Sequence, residues 1–155
     1  AAERPDLILA AADISREALA VAKENARHHH VLNRIEFHAG SLLEPLAGAP
    51  PFDLIVANLP YVGTNELDVL ETNVRDYEPH LALFAGEFGL DLFAPLFTQI
   101  KTYNLLNSGG VILLEIGYAQ GEALRALARE HFPQAQQIAV HKDLAHRDRI
   151  VEIRP

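Results

Sequence analysis

FDLIVANLPYVG, Phe52 to Gly63, decides the fold. Its first half is apolar apart from Asp53, too short for a core helix and without polar alternation. A run of this kind reads as a strand covered on both faces, the pattern of a parallel sheet flanked by helices. The strand runs directly into Asn58-Leu59-Pro60-Tyr61, an unusual place for an amide, a proline and an aromatic ring together. Such a corner is either an ordinary strand-to-loop turn, since Asn and Pro are common in turns, or a site.

Outward from this strand the same alternation repeats. LILAAADIS, Leu7 to Ser15, reads as a second apolar strand ending at Asp13. Ser15 is placed to cap a helix over residues 16–29, with Glu17 in its first turn and Leu19, Ala22 and Ala26 along one face. A short strand follows over Arg34 to His38, then a loop with room for one helical turn. Beyond Gly63, residues 65–72 suit a short helix, and 73–88 an ordered loop. A helix is predicted over about residues 90–106, with Leu92, Phe93, Leu96, Phe97 and Ile100 inward and Pro95 in its first turn. SGGVILLEIG then gives a turn and an apolar strand, residues 119–131 a helix, and QQIAVHK and RIVEIRP two last strands joined without a helix. The expected architecture is one α/β domain, mostly parallel, with an antiparallel last edge.

At 155 residues the chain suits one domain. No apolar run approaches the ~20 residues of a membrane span. The net charge of −8 argues against a broad nucleic-acid surface. Cysteine is absent, which excludes disulfides and thiolate metal sites and fits a cytoplasmic location. The chain opens on Ala1 and has no methionine, so a processed or truncated piece of a longer protein is expected. His28, His29 and His30 are consecutive, and helical neighbours point about 100° apart, so they cannot converge on one metal ion. The GEFG stretch, residues 86–89, follows no strand and is not read as a phosphate loop. KDLAHRDR, residues 142–149, reads as a solvated turn.

In open α/β sheets ligands bind beyond the carboxyl ends of the strands. Asp13, the Gly40-Ser41-Leu42 stretch and Asn58 to Tyr61 all fall at such ends. Asp13 suits either of two roles: a carboxylate accepting the vicinal hydroxyls of a ribose, or a cap turning the chain into the next helix. At the second corner, the Asn58 side-chain oxygen and the Pro60 carbonyl could accept both hydrogens of a planar NH2 group. That would orient the nitrogen toward an electrophile. Proline has no N–H of its own to compete there. Tyr61 could stack on the flat group.

With these residues in hand, the chain resembles the catalytic domain of the HemK/PrmC family. Those are S-adenosylmethionine-dependent methyltransferases acting on the glutamine side chain of a Gly-Gly-Gln motif in peptide-chain release factors. The resemblance rests on ADISREALAVAKENA, FDLIVANLPYV, VRDYEPHLALFAGEFGLDLF, GGVILLEIGYAQGEAL and KDLAHRDRIVEI, spread over essentially the whole chain. It implies an α/β, Rossmann-like class I methyltransferase fold. It also implies a cytoplasmic enzyme with a release factor as protein partner, no metal, and methyl transfer to the amide nitrogen. Position by position, Asp13 matches the ribose-binding acid, Leu42 a residue beside the adenine, and Ser41 its neighbour. Asn58, Leu59, Pro60 and Tyr61 match the substrate-amide motif, with Asn58 also near the methionine end of the cofactor.

The sequence departs from the family in three places. Leu59 replaces the first proline of Asn-Pro-Pro-Tyr, which leaves both proposed amide acceptors intact. Ser41 stands where an aspartate is common, which weakens a hydrogen bond to the adenine amine. The family's central first strand and its glycine-rich loop are expected just before AAERPDLILA, and its N-terminal helical domain before those. Residues 1–155 therefore read as a partial methyltransferase domain, expected to bind S-adenosylmethionine weakly or not at all by itself. Self-association could fill the missing strand. The competing readings are an adenine-N6 methyltransferase of nucleic acid, which shares the Asn58–Tyr61 type of motif, and a catalytically inactive fragment keeping only the fold.

Overall fold

The computed structural model describes residues 1–63 and 85–155. These fall into two compact units, residues 1–49 and 50–155.

In the first unit, β1 (Leu9–Asp13) pairs in parallel with β2 (Ile35–Ala39), with Asp13 opposite Ala39. The helix α1 (Arg16–His28) links them and buries Leu19 and Ala26. It starts as expected: the Ser15 hydroxyl accepts from the Ala18 N–H at 3.1 Å. Its end explains the histidine run. His30 adopts φ 56°, the His30 N–H donates to the Arg27 carbonyl, and the Val31 N–H reaches back to the Ala26 carbonyl at 2.9 Å. This is a left-handed stop with buried Val31 closing over buried Ala26. A 3-10 turn at Glu44–Leu46 supplies the helical turn foreseen in the following loop.

The second unit is a four-stranded sheet of order β3-β4-β6-β5, where β3 is Phe52–Ala57, β4 Leu106–Glu115, β5 Gln137–Lys142 and β6 Asp148–Arg154. β3 and β4 run parallel; β6 is antiparallel to both β4 and β5. The helix α2 (Phe93–Thr102) and the helix α3 (Gly121–His131) complete the unit. Ile112, Leu114 and Ile116 alternate inward from the β4 segment and meet Val151 and Ile153 of β6, all fully buried. Phe93, Leu96, Phe97, Leu105 and Leu124 close over them. Side chains of this size each contribute roughly 1.5–3 kcal/mol on full burial.

Three expectations need correction. The α2 helix is shorter than residues 90–106, because Asn104 adopts φ 52° and the Leu105 N–H turns back to the Ile100 carbonyl, ending the helix before the apolar residues do. The turn read at SGG lies inside β4: the register jumps from Phe52↔Leu106 to Leu54↔Val111, so residues 107–110 bulge out around Gly109 at φ 78°. Finally, β3 is not covered on both faces. Leu54 and Val56 are exposed, as is Ile8 just before β1. Among the described residues β1 pairs only with β2 and β3 only with β4, which leaves one edge of each strand open. Residues 65–72 and most of 73–88, with the RDYEPHLALF block, lie outside the described residues.

Candidate active site

The two carboxyl ends of strands in the first unit are held together by backbone. The Gly40 N–H donates to the Asp13 carbonyl at 3.0 Å, so the turn after β2 starts beside the tip of β1. The Asp13 side chain is exposed, and its Oδ1 accepts from the Ser15 N–H at 2.8 Å. Asp13 thus performs the capping role, with one oxygen, while Oδ2 has no partner among the described residues. Both readings of Asp13 are compatible with this arrangement. Ser41 and Leu42 follow in a turn closed by the Glu44 N–H on the Ser41 carbonyl. Leu42 holds φ 51°, a left-handed conformation uncommon for a bulky side chain. Nearby, Glu17 is held below the ordinary glutamate range by its own backbone N–H and by the Ser15 hydroxyl.

In the second unit, the corner after β3 divides into free and anchored groups. Asn58 is exposed and makes no hydrogen bond among the described residues. Leu59, Pro60 and Tyr61 are half-buried, and no described donor reaches the Pro60 carbonyl. The Tyr61 carbonyl, in contrast, accepts from Gln120 Nε2 at 2.7 Å. The Val62 carbonyl accepts from the Ala85 N–H at 3.2 Å, which brings the 85–91 loop onto the corner. The glycines of GEFG serve this packing. Gly86, at φ 73°, leaves space taken by the Asp91 carboxylate, and Gly89, at φ 70°, space taken by the Tyr61 carbonyl. At Gly89 the obstacle is backbone and no Cβ fits, whereas at Gly86 it is the end of the Asp91 side chain and the left-handed backbone is the main bar to a side chain.

Gln120 is the residue that sequence reading missed. It lies between β4 and α3, and it is the one buried polar residue among those described. A glutamine before a helix carries no distinctive pattern, and its partners lie far away in sequence. Among the described residues no cluster of His, Asp or Glu is placed to hold a metal. No described helix is long and apolar enough to cross a membrane.

The chain shares the Rossmann-like fold of class I methyltransferases. TrmN from Thermus thermophilus has that fold in common with it, at TM-score 0.61 and 18% identity, covering 97% of this chain and 37% of that one. A family model described as RMKL-like, methyltransferase domain, matches residues 1–66. More specifically, the chain is similar to release factor glutamine methyltransferases over nearly its whole length. It is 40% identical over 147 residues to the one from Enterococcus faecalis, covering 95% of this chain and 51% of that protein. Against the one from Caulobacter vibrioides it is 41% identical over 150 residues, covering 97% and 50%. The chain spans about half the length of these curated relatives. The resemblance to the HemK/PrmC family read from the sequence is borne out.

Proposed function

We propose that these residues are the cofactor- and substrate-holding part of a methyltransferase that modifies the side-chain amide nitrogen of glutamine in the Gly-Gly-Gln motif of a peptide-chain release factor. The observation that carries this reading is the contrast at the β3 corner. Asn58 is exposed and unpaired among the described residues at the carboxyl end of the strand, while the backbone three and four residues on is tied down. An unpaired amide on an anchored loop is what recognition of a planar NH2 group needs. Asn58 Oδ1 and the Pro60 carbonyl accept its two hydrogens, and the Tyr61 ring forms the wall beside it. Holding both hydrogens keeps the nitrogen lone pair directed away from the acceptors, and the two oxygens stabilise positive charge developing on that nitrogen.

S-Adenosylmethionine, when bound, supplies an electrophilic methyl group. The residues that fit it are Asp13 for the ribose, Ser41 and Leu42 for the adenine end, and Asn58 for the methionine end. Asp13 supports this by its exposed second carboxylate oxygen, a charge-assisted acceptor for a hydroxyl.

The test offers labelled S-adenosylmethionine to a full-length protein containing these residues, with a release factor, a Gly-Gly-Gln peptide or an adenine-containing oligonucleotide. Label entering the peptide, and falling about 10²–10³-fold with Asn58→Ala, is the expected result. Label in the oligonucleotide instead would move the assignment to adenine, and label in neither would leave a fold without this activity.

A further inference from the structure

We propose that Gln120 is the positioning residue of the β3 corner, a side-chain lock that fixes the Pro60 carbonyl and the Tyr61 ring through the Tyr61 backbone. This rests on the reading of the corner as the amide-holding site, and it adds the part that makes the corner rigid. Gln120 is buried, with its side-chain amide fully used. Nε2 donates one hydrogen to the Tyr61 carbonyl at 2.7 Å and the other to the Phe88 carbonyl at 2.9 Å. Oε1 accepts from the Gly117 N–H at 2.9 Å, and the Gln120 N–H returns to the Gly117 carbonyl at 3.0 Å. One side chain thus ties the end of β3, the 85–91 loop and the end of β4.

The chemistry of the position is specific. Two carbonyl oxygens face the same atom, so only a group with two N–H donors satisfies both; the third contact needs an acceptor on the same planar head. Among neutral side chains of this length, glutamine alone offers that set. Burying it costs free energy unless every bond is made, and here they are. The lock acts one residue beyond the Pro60 carbonyl. Fixing the Tyr61 carbonyl fixes the peptide plane after Tyr61, and the proline ring fixes φ at Pro60. The Pro60 carbonyl lies between these two fixed points, aimed by ψ of Pro60 and by φ and ψ of Tyr61. The Tyr61 ring lies beside Gly117, where an added Cβ would sit 3.5 Å from Tyr61 Cδ2.

The decisive experiment compares wild type with Gln120→Glu and Gln120→Ala by backbone amide NMR of the 155-residue chain. The amides of Val62, Gly89 and Gly117 report the three bonds directly. In Gln120→Glu at neutral pH the carboxylate cannot donate, so these three resonances are expected to move and Val62 to exchange faster. On acidification the protonated carboxyl regains one donor, and part of the change is expected to reverse. A residue that only fills space would show no such pH dependence, because Glu and Gln have the same shape. In parallel, a Gly-Gly-Gln peptide titrated into each protein is expected to bind about tenfold more weakly to Gln120→Glu, since small misplacements of positioning groups carry large penalties. Unmoved Val62 and Gly89 resonances, or changes that ignore pH, would overturn the lock. A wild type that ignores the peptide while the resonances move would overturn the assigned substrate and leave the lock standing.

Discussion

Gly89 and the Tyr61 carbonyl are packed so closely that no side chain fits between them: Gly89 holds φ 70°, and a Cβ there would overlap the Tyr61 oxygen. Gly89→Ala therefore meets two penalties, the left-handed backbone and a collision with backbone that Gln120 already holds. The expected loss is about 1–3 kcal/mol in urea denaturation, together with displacement of the corner. Gly48→Ala is the control. It shares a positive φ, 88°, but has nothing within 4 Å of its Cβ, so it bears only the backbone part. Equal losses at both sites would show that the collision with Tyr61 is relieved at no cost.

Asp13 is expected to act on a ligand rather than on the fold alone. Asp13→Asn retains an oxygen for the Ser15 N–H but loses the charge facing solvent. Affinity for adenosine or S-adenosylhomocysteine should fall roughly tenfold, since hydrogen bonds to charged groups contribute about 1.5–3 kcal/mol. Saturation-transfer NMR with adenosine and 2′-deoxyadenosine measures this. The wild type should favour adenosine and the variant should favour neither; an unchanged preference would return Asp13 to a capping role only.

The first turn of α1 depends on Ser15, whose hydroxyl accepts from the Ala18 N–H. Ser15→Ala should destabilise the first unit by about 1 kcal/mol, and Ser15→Asp should be close to neutral. Hydrogen exchange at the Ala18 amide, faster in the alanine variant only, checks the mechanism as distinct from the magnitude.

Acid should weaken the β5–β6 hairpin through Glu152. Its carboxylate accepts from Arg154 at 2.6 Å and lies 2.8 Å from His141 Nε2, and these hydrogen bonds, Arg154 first, hold its pKa below the ordinary 4.5. A group whose folded pKa is depressed contributes stability above its unfolded pKa and loses it as pH falls through the folded value. Stability is thus expected to decline below about pH 4.5. In Glu152→Gln this part of the decline should be absent in denaturation series from pH 7 to pH 3.

The strands and helices were largely legible because each depends on residues close in sequence. The apolar runs before Asp13 and Asn58, the Ser15 cap and the short connection after Lys142 each mark an element or its direction by local pattern. Helix ends were less legible. Both α1 and α2 stop on a left-handed residue that is not glycine, His30 and Asn104, and nothing local demands that conformation of them. The residues of the candidate site were legible as strand ends, since a polar residue after an apolar run stands out.

By itself, then, the sequence determined the α/β alternation, the antiparallel edge and the placement of Asp13, Ser41, Leu42 and Asn58 to Tyr61 beyond strand ends. Those follow from periodicity and chain length, which are properties of neighbouring residues. Only the tertiary structure decided how the corner is held. Gln120 reaches Tyr61 across 59 positions and Phe88 across 32, and no local pattern encodes such partners. It also decided burial: Leu54 and Val56 are as apolar as Ile55, yet only Ile55 is covered, because cover comes from what packs beside a strand and not from the strand itself.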